Sequence, residues 1–161
     1  DGAEAWKTTT PRPLVHLAWV PESAMLFGAA DFGLVCLFDL AGHCLWRDGL
    51  VAHVGGIAAS GDGSRLVAAC FTEGLKRYAA GRGKPEAIGA GIVARQVASS
   101  YSGGVLLTVG LEGTTLALSD GEGKLLGEAA TASPVTGLAM EARGEGATAA
   151  LAAGELLRVR W

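Results

Sequence analysis

Apolar residues come in short bursts along this chain, set apart by turns rich in Gly, Asp, Ser and Pro, and nothing from Val54 to Tyr78 is helical in period. The cleanest unit runs from Val54 to Tyr78. Val54 to Ala59 is an apolar strand, Ser60-Gly61-Asp62-Gly63 has turn chemistry, Leu66 to Cys70 is apolar again, and Glu73-Gly74 turns the chain into Leu75 to Tyr78. The rest of the sequence aligns on this unit. An apolar-Ala pair in the first strand recurs at Leu17-Ala18, Ile57-Ala58, Val97-Ala98 and Leu138-Ala139, at spacings of 40, 40 and 41. A glycine opening the third strand recurs at Gly33, Gly74, Gly113 and Gly154, at 41, 39 and 41. Two anchors sharing a period of about 40 residues, with about four short strands per unit, predict the blades of a β-propeller.

The expected fold is therefore all-β, with four blades of about four antiparallel strands each. Their predicted bounds are 14–48, 54–90, 94–130 and 135–161, the last supplemented by a strand over 4–8. In the first blade the strands are Leu14 to Val20, Ala24 to Ala30, Gly33 to Asp39 and His43 to Arg47. The second ends in a weak outer strand near Glu86 to Gly89, after a loop over Gly81-Arg82-Gly83-Lys84-Pro85. The fourth stops one strand short, while Asp1 to Thr10 reads as a lone strand ahead of the break Pro11-Arg12-Pro13. Counting from Leu138 past the last residue and on to Leu17 again gives 40 positions, and Trp6 precedes Trp46 by 40. Glu4 to Thr8 is thus expected to pair with Leu156 to Trp161, in the same chain or in a neighbouring copy. Trp6, Lys7, Val159 and Trp161 are the residues assigned to that ring closure or assembly. Four blades can close alone, pair two by two into an eight-bladed ring, or join blades of another polypeptide, and an excerpt of a longer array would show the same arithmetic. The reading leans to a ring of several parts.

Composition narrows the function classes. Of 161 residues half are hydrophobic, 25 are Gly and 18% are charged, which fits a turn-rich globular fold with a real core. Sixteen acidic and thirteen basic residues leave a net charge of −3 without a cluster of one sign, so no nucleic-acid surface is expected. No apolar run reaches membrane-spanning length, and membrane insertion is not expected. A soluble, cytoplasmic setting is the expectation, with the compartment left open. Cys36, Cys44 and Cys70 lack the spacing of a zinc site and read as small hydrophobes on strands.

The pattern Val-x-x-Leu-Ala in the first strand, a Gly/Asp turn, and Gly-Leu-Val-Cys-Leu-Phe-Asp from Gly33 to Asp39 resemble WD40-type repeats of β-propellers. That resemblance implies a toroid used as a platform for protein partners, usually without catalysis. The position before the third strand holds Phe32, Glu73, Glu112 and Ala153 in place of the family's Asp, and no Gly-His pair precedes the first strand. Gly42 to Trp46 and Gly2 to Trp6 are also similar to the Gly...Trp ending of quinoprotein-like propeller repeats, whose implied enzyme activity is the remote alternative.

No chemistry is legible beside this. Gly81-Arg82-Gly83-Lys84 is followed by Pro85 where a phosphate loop needs Ser or Thr. Asp120-Gly121-Glu122-Gly123 offers two carboxylates where calcium takes six to eight oxygens. His16, His43 and His53 share no ligand spacing, and Ser60 with Asp62 is turn chemistry. No catalytic residue, metal or cofactor is expected. In WD40-like propellers the partner meets the loops that enter the first strand and join the second to the third. By resemblance, the candidate protein-binding face is Arg12, Asp31, Phe32, His53, Phe71, Glu73, Arg95 and Glu112, with Phe32 and Phe71 as first anchors because an aromatic beside a charge suits a hot spot. The alternative to this platform is a structural subunit, or part of a seven- or eight-bladed propeller assembled from repeats or copies.

Overall fold

A computed structural model describes residues 2–49, 52–89 and 91–161, and among these described residues it has fifteen short strands and no helix. The first sheet holds β1 (His16–Val20), β2 (Met25–Ala29), β3 (Val35–Phe38) and β4 (Cys44–Asp48). The second holds β5 (Val54–Ala59), β6 (Leu66–Cys70), β7 (Gly74–Ala79) and β8 (Arg82–Ile88). Next come β9 (Ala94–Ser99), β10 (Val105–Gly110), β11 (Thr115–Asp120) and β12 (Leu125–Ala130). The fourth sheet has only β13 (Val135–Met140), β14 (Gly146–Leu151) and β15 (Leu156–Arg160). Every strand pairs antiparallel with its neighbour in sequence, so each sheet is a meander and the four are the blades of a propeller.

Registers follow the repeat: Leu17 faces Gly28, Ile57 faces Ala68, Val97 faces Thr108 and Leu138 faces Ala149. A glycine with positive φ stands at Gly33, Gly74, Gly113 and Gly154, where the turn between the second and third strands needs a left-handed residue. This is the physical reason for the second sequence anchor.

The core lies between blades. Phe27, Val35 and Leu37 of the first blade meet Val54, Leu66, Ala68 and Tyr78 of the second. At this junction Trp46 stacks on Tyr78 with ring centroids 5.2 Å apart, and its Nε1 donates to the Ala80 carbonyl at 2.8 Å. Tyr78 Oη donates to Asp48 Oδ2 at 3.0 Å, and burial first, then the Asp48 charge, holds its hydroxyl well above the ordinary phenol range. Leu75 and Val67 meet Val97 and Leu106 at the next junction, and Leu107 and Leu116 meet Ala147 and Ala149 at the third. Among the described residues, no core cluster joins the first blade to the fourth.

Two expectations change. The segment expected as a loop over Gly81-Arg82-Gly83-Lys84-Pro85 is mostly strand: β8 starts at Arg82, and Ala80-Gly81 makes a two-residue turn from β7. Gly83 lies under the Trp46 ring, which a Cβ added to it would meet at 3.3 Å, and Pro85 sits on an outer strand where a missing N–H breaks no ladder. The strand expected over Glu4 to Thr8 is not formed within the chain, so the fourth blade keeps three strands. Trp6 instead seats on the first blade, its ring 2.6 Å from where a Cβ on Gly42 would lie.

Candidate functional site

One end of the propeller gathers the turns between second and third strands with the segments entering each first strand. Phe32, in the β2–β3 turn, forms an isolated bridge with His53 just before β5. Their rings lie 3.9 Å apart, and His53 stacks at 6.0 Å on Phe71 of the β6–β7 turn. Backbone bonds hold the row in place: Val54 N–H donates to the Asp31 carbonyl at 3.0 Å and Phe71 N–H to the His53 carbonyl at 3.0 Å. Arg12 Nη1 donates to the Phe32 carbonyl at 2.8 Å, and His16 Nε2 lies 3.4 Å from Asp31 Oδ1. Phe32 is 56% exposed, so its ring does not fold back into its blade. Beside it Arg12, Pro13, Val15 and Ala30 line a hollow of about 250 Å³.

The row continues across the end. The Phe71 ring covers Gly55, where any Cβ would overlap it and the Arg95 carbonyl, so glycine is required there. Arg95 turns the other way and donates to the Val135 carbonyl, with its guanidinium against Gly113. Glu112 stands over Gly110, and a hydrogen bond from Thr115, with help from the Arg95 charge, holds its carboxyl below the usual range. Glu73 pairs with Lys76 at 3.1 Å. All eight residues predicted for this face therefore lie at one end, seven of them in two groups and Glu73 paired within its own blade. Arg12, Asp31, Phe32, His53 and Phe71 form one contiguous patch over the first two blades, while Arg95 and Glu112 serve the junction of the third and fourth.

The opposite end has a different construction, which sequence reasoning missed. Glu22 N–H donates to the Gly61 carbonyl, Gly61 N–H to Tyr101 and Tyr101 N–H to Ala142, at 3.1, 2.7 and 2.8 Å. Equivalent residues of the four first turns are thus linked in series. The Tyr101 ring lies over Gly61 and its hydroxyl donates to Glu22. The only sequence signal was the spacing of these four positions, 39, 40 and 41, because backbone donors leave no mark on side-chain identity.

Inside the ring, residues of all four innermost strands, among them His16, Leu17, Gly56, Gln96 and Thr136, line an open cavity of about 400 Å³. Among the described residues no group of three or more His, Cys, Asp or Glu could hold a metal ion. Cys36 and Cys70 are buried and Cys44 is exposed.

No family model and no curated protein matches the sequence. Solved structures do resemble the fold. The computationally designed Ika4 protein superposes with a TM-score of 0.75 over 99% of both chains, at 17% identity. Hydrazine synthase of Kuenenia stuttgartiensis gives a TM-score of 0.78 at 14% identity, over 99% of this chain and 49% of that one, so the chain spans about half its length. Identities this low speak for architecture alone, and the architecture is a four-bladed β-propeller.

Proposed function

We propose that this propeller is a non-catalytic protein-interaction platform of WD40-like type, and that a protein partner docks on the patch built by Arg12, Asp31, Phe32, His53 and Phe71. The observation that carries this reading is the Phe32–His53–Phe71 row, an aromatic surface with Phe32 and His53 exposed and Phe71 half-buried, held by backbone hydrogen bonds and flanked by charge. Rigid aromatics lose little entropy on docking, and a charged rim supplies orientation. The WD40-type resemblance of Gly33 to Asp39 supports the same end of the ring, since such propellers meet partners there.

The test is a comparison of crosslinked partners. A photo-reactive residue at Phe32 is expected to capture a discrete protein, and the same residue at Leu125, on an outer strand, is not. The double variant Phe32→Ala/Phe71→Ala should lose at least about tenfold in affinity for that protein, as two hot-spot aromatics would. Equal capture at both positions, or undiminished binding by the double variant, would remove the platform reading from this patch.

A further inference from the structure

We propose that a second copy of this chain docks head to tail, its fourth blade against the first blade, so that two copies close an eight-bladed ring. Each copy's Glu4 to Thr8 then supplies the fourth strand of the other's incomplete blade.

The repeat itself reveals the open faces. Val35, Leu75, Leu116 and Leu156 occupy one position, on the side of the third strand that faces the next blade. The first three are 0%, 0% and 2% exposed, covered by the blade that follows, whereas Leu156 is 78% exposed. The reverse face shows the same break. Ile57, Val97 and Leu138 pack into junctions with the preceding blade, but Leu17 at their position is 62% exposed, with Trp19 exposed beside it. One face lacks a following blade and the other lacks a preceding one, so they are the two halves of a single junction.

Backbone hydrogen bonding ends in the same way. The series Glu22 to Gly61 to Tyr101 to Ala142 stops with an Ala142 N–H that has no acceptor among the described residues, and it begins at a Glu22 carbonyl with no donor among them. The next bond in the series runs from Ala142 to Glu22 of the second copy.

The N-terminal segment already occupies its place. Trp46, on the outer strand β4, lies against Gly83 of the following blade, and Trp6 lies against Gly42 in the same relation, 40 or 41 positions earlier. Trp6 is therefore held as the outer strand of a blade that precedes the first. The three inner strands of such a blade are what β13–β15 of a second copy provide. That sheet leaves β15 as an unpaired edge, all six residues of β12 beside it are exposed, and a groove of about 210 Å³ runs between them past Leu116, Leu118 and Val159. Glu4 to Thr8 of the second copy fills this groove and covers the edge.

Copy number follows from closure. A head-to-tail contact forms either a ring or a filament. Propellers have about four to eight blades, so two four-bladed copies reach the upper bound and three exceed it.

Light scattering over a range of concentrations is expected to give twice the 16.3 kDa of one chain. Leu156→Arg should halve that mass while leaving the far-UV circular dichroism unchanged, because Leu156 is exposed in the single chain. Ala87→Arg, on the outer strand β8 of the second blade and away from both open faces, should keep the doubled mass. Trypsin cleavage after Lys7 distinguishes this dimer from any other. It should slow as concentration rises in the wild type and stay fast in Leu156→Arg. A single-chain mass at all concentrations would overturn the proposal, as would a mass that grows without limit, a doubled mass retained by Leu156→Arg, or a dimer whose Lys7 is cut as fast as in that variant. The Phe32→Ala/Phe71→Ala variant should keep the doubled mass, so the two proposals fail separately.

Discussion

The junction between the first and second blades and the open face of the fourth blade are built from the same repeat positions, yet only one of them is a core. At the junction, Val35 and Leu37 lie under the second blade with Phe27, Trp46 and Tyr78, and of these only Trp46 keeps some contact with solvent. On the fourth blade the matching third strand shows Leu156, Arg158 and Arg160 to solvent, and Arg158 is paired with Glu141. A blade is thus no folding unit by itself. Its two faces become hydrophobic core only when neighbours cover them, as expected for an array of stacked repeats.

This difference is broken most sharply by placing the same charge at equivalent positions. Leu75→Arg puts an unpaired guanidinium inside a dry junction, where it costs about 4 kcal/mol or more and should abolish the folded β signal in circular dichroism. Leu156→Arg should leave that signal intact. If both variants fold, the internal junctions are far looser than their burial indicates.

The two tryptophans 40 positions apart give the next largest contrast. Trp46→Ala removes a stacked ring and a hydrogen bond to Ala80, and is expected to cost about 3–5 kcal/mol in urea unfolding. Trp6→Ala removes a ring that is 38% exposed and rests on one glycine, and about 1 kcal/mol is expected at concentrations where the chain is single. Equal losses would mean that Trp6 is already part of a complete junction.

Much of this architecture was legible because a repeat writes its period into side chains that the turns and cores demand. The left-handed turn glycines at Gly33, Gly74, Gly113 and Gly154, and the apolar-Ala pairs, gave the blade number and strand order. Phe32, His53 and Phe71 were nominated from their loops and do lie together, since short meander turns leave a blade little freedom in where its loops end. Legibility failed where one residue type serves two structures. Gly83 and Pro85 read as a loop but fit an outer strand under Trp46, and Glu4 to Thr8 has a strand's pattern with no strand beside it in its own chain. Trp19 was the overlooked signal. Its counterparts are Ala59, Ser99 and Met140, and the Trp19 side chain is 52% exposed on its blade.

Alkaline titration sharpens the same contrast through the buried thiols. Burial, aided by the nearby Cys44, pushes Cys36 from its ordinary 9.0 up to about 12, and burial with the Glu73 charge pushes Cys70 up to about 11. A raised thiol pKa means that the unfolded state loses its proton first. The contribution is therefore fully present below about pH 9 and declines as pH rises from 9 towards 11 and 12. Urea midpoints measured from pH 8 to 10.5 should fall, and Cys70→Ala should flatten the slope. Cys44 is exposed and should react with a thiol reagent at once in the native protein, while Cys36 and Cys70 wait for unfolding.

The smallest effect probes the linked first turns at the other end of the ring. Tyr101 is exposed, yet its hydroxyl titrates above the ordinary phenol value, first because it donates to Glu22 and then through the Glu22 and Asp62 charges. Tyr78 is raised by burial, so the two tyrosines of the chain are shifted for different reasons. Glu22→Gln should return only one of the two tyrosinate transitions, followed by ultraviolet absorbance, towards its ordinary position, with unchanged thermal stability. The backbone bonds from Glu22 through Gly61 and Tyr101 to Ala142 do not depend on that carboxylate, so the blades stay linked when it is gone. A drop in melting temperature with Glu22→Gln would instead assign a share of the linkage to the side-chain bond between Tyr101 and Glu22.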